Sequence, residues 1–126
     1  MDKEKINSSY KEFQAQNPGF GALIVLTRAG EILHMTEPDA MTADQAKHLV
    51  DVWFNNKPAV EFGDIRYPVL KWDELQFAAK NVAKKGSLVG CKTKSDKLVV
   101  SKVAGDCPTN IITATIALNR WSWNEV

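Results

Sequence analysis

The chain is poor in the residues from which catalytic and metal centres are built. It has two cysteines, two histidines and no long apolar run among its 126 residues. Without ~20 consecutive apolar residues no helix spans a bilayer, and the opening Met1-Asp2-Lys3-Glu4-Lys5 carries charge without the apolar core of a secretory signal. The expectation is a soluble cytoplasmic protein. Cys91 and Cys107 have the spacing of neither a metal knuckle nor a redox pair, so they read as buried, reduced thiols. His34 falls in a strand-like run and His48 in a helical one, where it reads as solvated. Neither stands beside a Ser, Cys or carboxylate at a spacing that pairs a nucleophile with a base. Gly19-Phe20-Gly21 and the lone Gly105 are turn glycines and not a phosphate loop, and no carboxylate or His cluster suggests a metal. No enzymatic activity, cofactor or metal site is expected.

What is present is a chain long enough to bury about two-thirds of its unfolded surface, read as one domain over 1–126. The net charge of +1 hides an asymmetry. Residues 1–64 hold six basic and ten acidic side chains, whereas residues 65–105 hold nine basic and three acidic. A split of this size steers an acidic partner toward one side of the molecule. The plainer account is that lysines keep a sheet soluble and guard its edges.

Ile6, Tyr10 and Phe13 recur at i, i+4, i+7, one face of a helix that Asn17-Pro18-Gly19 ends. Ala22 to Leu26 and Glu31 to Met35 form a hairpin, the first strand central. Thr42-Ala43-Asp44-Gln45 fits a capping box, and the helix it opens runs through Asn55 with Ala46, Leu49, Val50 and Trp53 on one side. After a short acidic loop, Ile65 to Trp72 reads as a strand whose Pro68 implies an edge or a bulge. Leu75 to Lys80 alternates as a half-buried strand with its other face in water, and Ser87 to Thr93 and Leu98 to Val103 follow across tight turns. Asp106 or Cys107 caps a last helix with Pro108 early in it, running to about Trp123. The expected class is α+β: a central antiparallel sheet of about six strands, with the N- and C-terminal helices on one face and the middle helix on the other.

This order resembles that of the profilins, over nearly the whole chain. Ile65-Arg66-Tyr67-Pro68-Val69-Leu70-Lys71 is similar to the profilin strand with one basic residue near its start and another past a Val-Ile pair. Glu74 to Lys80 is similar to the next strand, acidic first and basic six residues on, and Cys91-Lys92-Thr93-Lys94-Ser95-Asp96-Lys97 to the Thr-Lys-Thr hairpin. The resemblance implies a protein of the cytoplasm and cytoskeleton that binds an actin monomer stoichiometrically, through Arg66, Val69, Lys71, Glu74, Lys80 and Asn110. Val69 is the expected apolar neighbour of the lysines. It also implies proline-rich ligands in an aromatic cleft from Tyr10, Phe13, Trp121 and Trp123, and phosphoinositides that compete for the same lysines. Here the ring at the start of the first helix is a Tyr and the tail after Trp123 is short, two departures from the family. Trp121 and Trp123, two residues apart on a helix, point to different sides, so at most one of them faces the first helix.

The rival reading is a roadblock or longin type of dimeric scaffold for small GTPases, with Trp53-Phe54 as its anchor and self-pairing as its signature. A monomer is expected instead. Nucleic acid is excluded, because the basic strands offer few aromatics for stacking and the order of elements is not that of the common RNA-binding sheet.

Overall fold

The computed structural model describes all residues 1–126. Helix α1 (Lys3–Gln16) is capped by Asp2, whose carboxylate accepts from the Lys5 amide at 3.1 Å. Strands β1 (Phe20–Leu26) and β2 (Ile32–Met35) form the hairpin, and α2 (Ala43–Phe54) begins with both arms of the Thr42–Gln45 capping box in place. Then come β3 (Ala59–Phe62), β4 (Ile65–Trp72), β5 (Gln76–Lys80), β6 (Ser87–Lys92), β7 (Leu98–Val103) and α3 (Ile111–Glu125). All pairings are antiparallel, in the order β2-β1-β7-β6-β5-β4-β3.

The sheet therefore has seven strands and not about six. The stretch taken for an acidic loop contains β3, which pairs with β4 from Ala59 opposite Pro68 to Phe62 opposite Ile65. Only four residues long, with Glu61 in it, β3 has too little apolar alternation to read as a strand. Its presence makes β4 an interior strand, so Pro68 marks no edge. The other expectation holds, because the ladder slips between Val69 and Lys71 as a bulge.

Each sheet face buries its own core. On one side Trp53, Leu49 and Ala46 of α2 meet Ile24, Leu26, Tyr67, Phe77, Leu88 and Val100. On the other, α1 and α3 cover Leu23, Val25, Val89, Cys91 and Val99 with Ile6, Tyr10, Phe13, Ala114 and Leu118. The layering of terminal helices against middle helix is as expected. The water-facing side of β5 is so only in part: Lys80 is exposed, but Ala78 is buried because α3 lies over that end of the face. Nor do Asp106 or Cys107 cap α3. Asn110 does, its carboxamide oxygen accepting from Thr113 N at 2.9 Å, and Pro108 precedes the helix.

Candidate functional site

The register decides which way each candidate side chain points. Val60 opposite Tyr67, and Val69 opposite Ala79, turn toward α2. The alternate positions turn to the α1 and α3 side, and these hold Arg66 opposite Glu61, Lys71 opposite Ala78 and Lys80 opposite Ser87. Arg66 and Lys71 stand five residues apart on β4, roughly 16 Å, with Lys80 on the neighbouring strand between them. The three cations share one face. Two of them are partly matched nearby, Arg66 Nε lying 3.7 Å from Glu61 and Lys71 Nζ 3.4 Å from Asp73. Lys80 has no carboxylate partner.

Val69 leaves this group. It packs against the core beneath α2, so it cannot be the apolar neighbour of the lysines. The bulge supplies another: Leu70 is the extra residue between the two ladders and is 54% exposed on the outer face. Glu74 sits exposed in the turn joining β4 to β5. Asp73 shapes that turn by accepting from Leu75 N and Gln76 N at 2.8 and 2.7 Å, while the buried Trp53 indole donates to the Asp73 carbonyl at 2.8 Å. Asn110 comes close to Lys80, the two lining one pocket of about 250 Å³ where β5 and β6 meet the start of α3.

Helix α3 adds an apolar edge. Ala114, Leu118 and Ser122 face the sheet, and Ala117 and Trp121 face α1. Helical spacing then sends Ile112, Ile116 and Trp123 together to the flank away from α1, and all three are exposed. Leu70, Ile112 and Ile116 were not foreseen. The signal was present, since two isoleucines four apart on a helix whose buried stripe is already filled are surplus apolar residues.

Of the remaining cations of the second half, Lys85 lines one pocket with Arg66. Lys84 and Lys85 occupy the β5–β6 turn, Lys92 pairs with Asp96 at 3.1 Å beside the β6–β7 turn, and Lys102 donates to the Ala40 carbonyl on the α2 side.

The aromatic residues of α1 and α3 form a packed cluster. Tyr10 lies 5.2 Å from Trp121 and 5.7 Å from Phe13 between ring centres, and Phe13 is 5.6 Å from Trp121. The Tyr10 hydroxyl is consumed inside, 2.7 Å from both the Gly21 carbonyl and Ser101 Oγ, and burial holds the phenol well above its usual pKa. The Trp121 indole donates to Ser9 Oγ at 2.9 Å. What stays open is a cleft of about 600 Å³ between the helices, with Phe13 and Trp121 as its rings and Glu12, Gln16 and Arg120 among its polar groups. Tyr10 and Trp123 are absent from it. As helical spacing requires, only one of the two tryptophans faces α1.

Two further residues differ from expectation. His48 is not simply solvated: its Nε2 accepts from Glu61 N at 2.9 Å, fastening β3 to α2. Cys91 is buried but Cys107 only partly so, with its thiol donating to the Pro18 carbonyl at 3.3 Å. Trp53, 1% exposed and stacked on Phe77 and Phe54, is core.

No protein-family model matches the chain. Loki profilin-3 of Lokiarchaeum sp. (strain GC14_75) is 27% identical to it over 125 residues, 98% of this chain and 100% of that protein. The crystal structure of LokiProfilin1 superposes with a TM-score of 0.77 at 14% identity, covering 97% of this chain and 95% of the other. The chain has the profilin fold. A second profilin structure, LokiProfilin2 in complex with rabbit actin, matches with a TM-score of 0.77 at 13% identity over 97% of this chain and 95% of that one. No helix of the chain is long and apolar enough to cross a membrane.

Proposed function

We propose that the chain binds an actin monomer through the outer face of β4 and β5 together with the free flank of α3. What supports this is that Arg66, Lys71 and Lys80 lie on the α1 and α3 side of the sheet, and that Leu70 of β4 and Ile112 and Ile116 of α3 are exposed apolar side chains. Apolar centres with charged rims are how protein interfaces divide contact energy from orientation. A structural neighbour with the same fold has been solved with rabbit actin, which supports the choice of partner. Binding is stoichiometric. Occupying one end of the monomer blocks addition there, leaves the other end free to join a filament, and loosens the nucleotide cleft.

Titration of purified actin monomers tests the assignment. Lys71→Glu with Lys80→Glu should slow association and weaken binding by at least about tenfold at low salt, the loss shrinking as salt rises. Ile116→Asp should weaken binding by speeding dissociation, because it puts a charge in the desolvated centre. Unchanged affinity of both variants would overturn the assignment.

Proline-rich segments are the second ligand class, and the α1–α3 cleft is their site. The open edges of Phe13 and Trp121 support this, flat rings being what a polyproline helix packs on. A polyproline peptide should change the tryptophan fluorescence of the protein, and Trp121→Ala should remove the response. No response at millimolar peptide would refute it.

The scaffold reading needs an exposed anchor for self-pairing, and the tryptophan suggested for it is sealed in the core. Size exclusion separates the two, a monomer agreeing with the actin-binding reading and a stable dimer with the scaffold.

A further inference from the structure

A cavity of about 350 Å³ lies between α1 and the end of β2, apart from both the basic face and the aromatic cleft. Asn7, Lys11 and Gln14, at i, i+4 and i+7, form its helical wall with Tyr10, and Thr36 and Glu37, just past β2, form the other. Apart from the Tyr10 ring the lining is polar.

Three of the polar side chains are held by the fold at one end only. Gln14 Nε2 donates to the Phe20 and Gly21 carbonyls at 3.0 and 3.3 Å, which fixes the carboxamide and leaves Oε1 a free acceptor. Asn7 Oδ1 accepts from His34 Nε2 at 2.7 Å, leaving its Nδ2 protons free. Thr36 Oγ1 accepts from Leu23 N at 2.9 Å, so its hydroxyl proton has no partner in the protein. None of these free ends is sealed in the core, so water serves them until a ligand does.

The charges follow the same pattern. Lys11 on one wall and Glu37 on the other form no ion pair with each other or with any third group. Burial, and behind it the Glu37 charge, raise the Tyr10 phenol, so this carboxylate is felt across the cavity wall. The acceptors on offer are Glu37 and Gln14 Oε1, and the donors are Lys11 Nζ, Asn7 Nδ2 and the Thr36 hydroxyl. A simple anion would use the donors and be opposed by Glu37, and a simple cation would be opposed by Lys11. A molecule with an ammonium and a carboxylate on one carbon uses both sets.

We infer that this cavity binds a free α-amino acid, its ammonium donating to Glu37 and Gln14 Oε1 and its carboxylate accepting from Lys11, Asn7 Nδ2 and the Thr36 hydroxyl. With no aliphatic residue in the lining, the ligand side chain is small or polar. The end of a peptide brings only one of the two charges, so it leaves one wall unmatched.

The test uses the full chain labelled with ¹⁵N and glycine as the probe, and it needs no partner protein. The amides of Asn7, Lys11, Thr36 and Glu37 should shift saturably with a Kd of about 1–10 mM, the range open to a ligand of so few atoms. Acetate and methylamine, each with one of the two charges, should bind at least about tenfold more weakly. Trimethylglycine should do the same, because it keeps both charges but has no N–H to donate. Lys11→Met and Glu37→Gln should each weaken glycine binding at least about tenfold. Both side chains are exposed, so the remainder of each spectrum should stay as in wild type and show that the fold survives. Equal responses to glycine, trimethylglycine and sodium chloride would overturn the proposal in favour of general surface charge. Full glycine binding in both variants, or no saturation by about 100 mM glycine, would overturn it as well.

Discussion

Gly90 is where the core and the candidate face are mechanically joined. It lies in β6 opposite Val100 and Phe77, and a Cβ placed there would come within 3.0 Å of Trp53 Cζ3 and 3.2 Å of the Val99 carbonyl. The Trp53 ring therefore rests on bare backbone, and its indole reaches across to the Asp73 carbonyl at 2.8 Å. That bond fixes the turn carrying Glu74, next to Lys71. In Gly90→Ala the Val99 carbonyl cannot retreat, so Trp53 must move. Overpacking of this kind costs about 1–3 kcal/mol, and the reduced entropy of the unfolded chain returns about 0.4–1 kcal/mol. The expected net loss is about 1–2 kcal/mol, read in urea unfolding, with a Tm lower by roughly 3–8 °C for a chain of this length. The Trp53 indole proton should shift in the NMR spectrum, and the Leu75 and Gln76 amides with it, because Asp73 holds both. Wild-type stability with an unmoved indole would refute the account of why the residue is glycine.

Tyr10→Phe should destabilise by about 1–2 kcal/mol, since a buried hydroxyl serving Gly21 and Ser101 is lost. Adding Ser101→Ala should cost less than the two single changes together, as urea unfolding of the double-mutant cycle will read. Burial pushes the Cys91 thiol up to about 12, against a weaker opposing effect from Ser122. A disulfide-exchange reagent at pH 8 should therefore label Cys107 alone until denaturant is added. The same thiol stays protonated in the fold while the unfolded chain ionises, so stability is fully present below about pH 9 and falls as pH rises from there toward 12, the raised Tyr10 phenol adding to the loss. Unfolding midpoints measured from pH 7 to 11 check this, and a flat profile would contradict it.

The fold was legible where periodicity and local chemistry agree. The α1 face from Ile6 to Phe13 and the Thr42–Gln45 box are local signals, and both appear as read. The layering followed from sequential strands with tight turns. What failed depended on partners distant in sequence. Strand β3 has four residues and becomes a strand only because β4 folds back on it and His48 accepts from its amide. The wet face assigned to β5 is covered at Ala78 because α3, some thirty residues later, lies on it, while Lys80 stays exposed. Alternation of Ala78 with Phe77 and Ala79 gives no hint of this, since alanine is small enough to sit under a helix.

The candidate face was legible by charge and misread by one residue in its apolar part. Arg66, Lys71 and Lys80 share a sheet face because each is an even number of residues, or one bulge, from its neighbour in the ladder. A strand without the bulge would keep Val69 and Lys71 on one face and Leu70 on the other, which is the pattern that makes Val69 the natural contact. The slip between the Val69–Ala79 and Lys71–Ala78 pairs reverses this. Pro68 is the local cause at hand: it lacks the amide that would continue the ladder, and the slip follows directly after it. A single proline thus exchanges which aliphatic side chain reaches solvent beside Lys71. The reasoning predicts that Leu70→Ala weakens partner binding whereas Val69→Ala lowers stability and leaves binding near wild type.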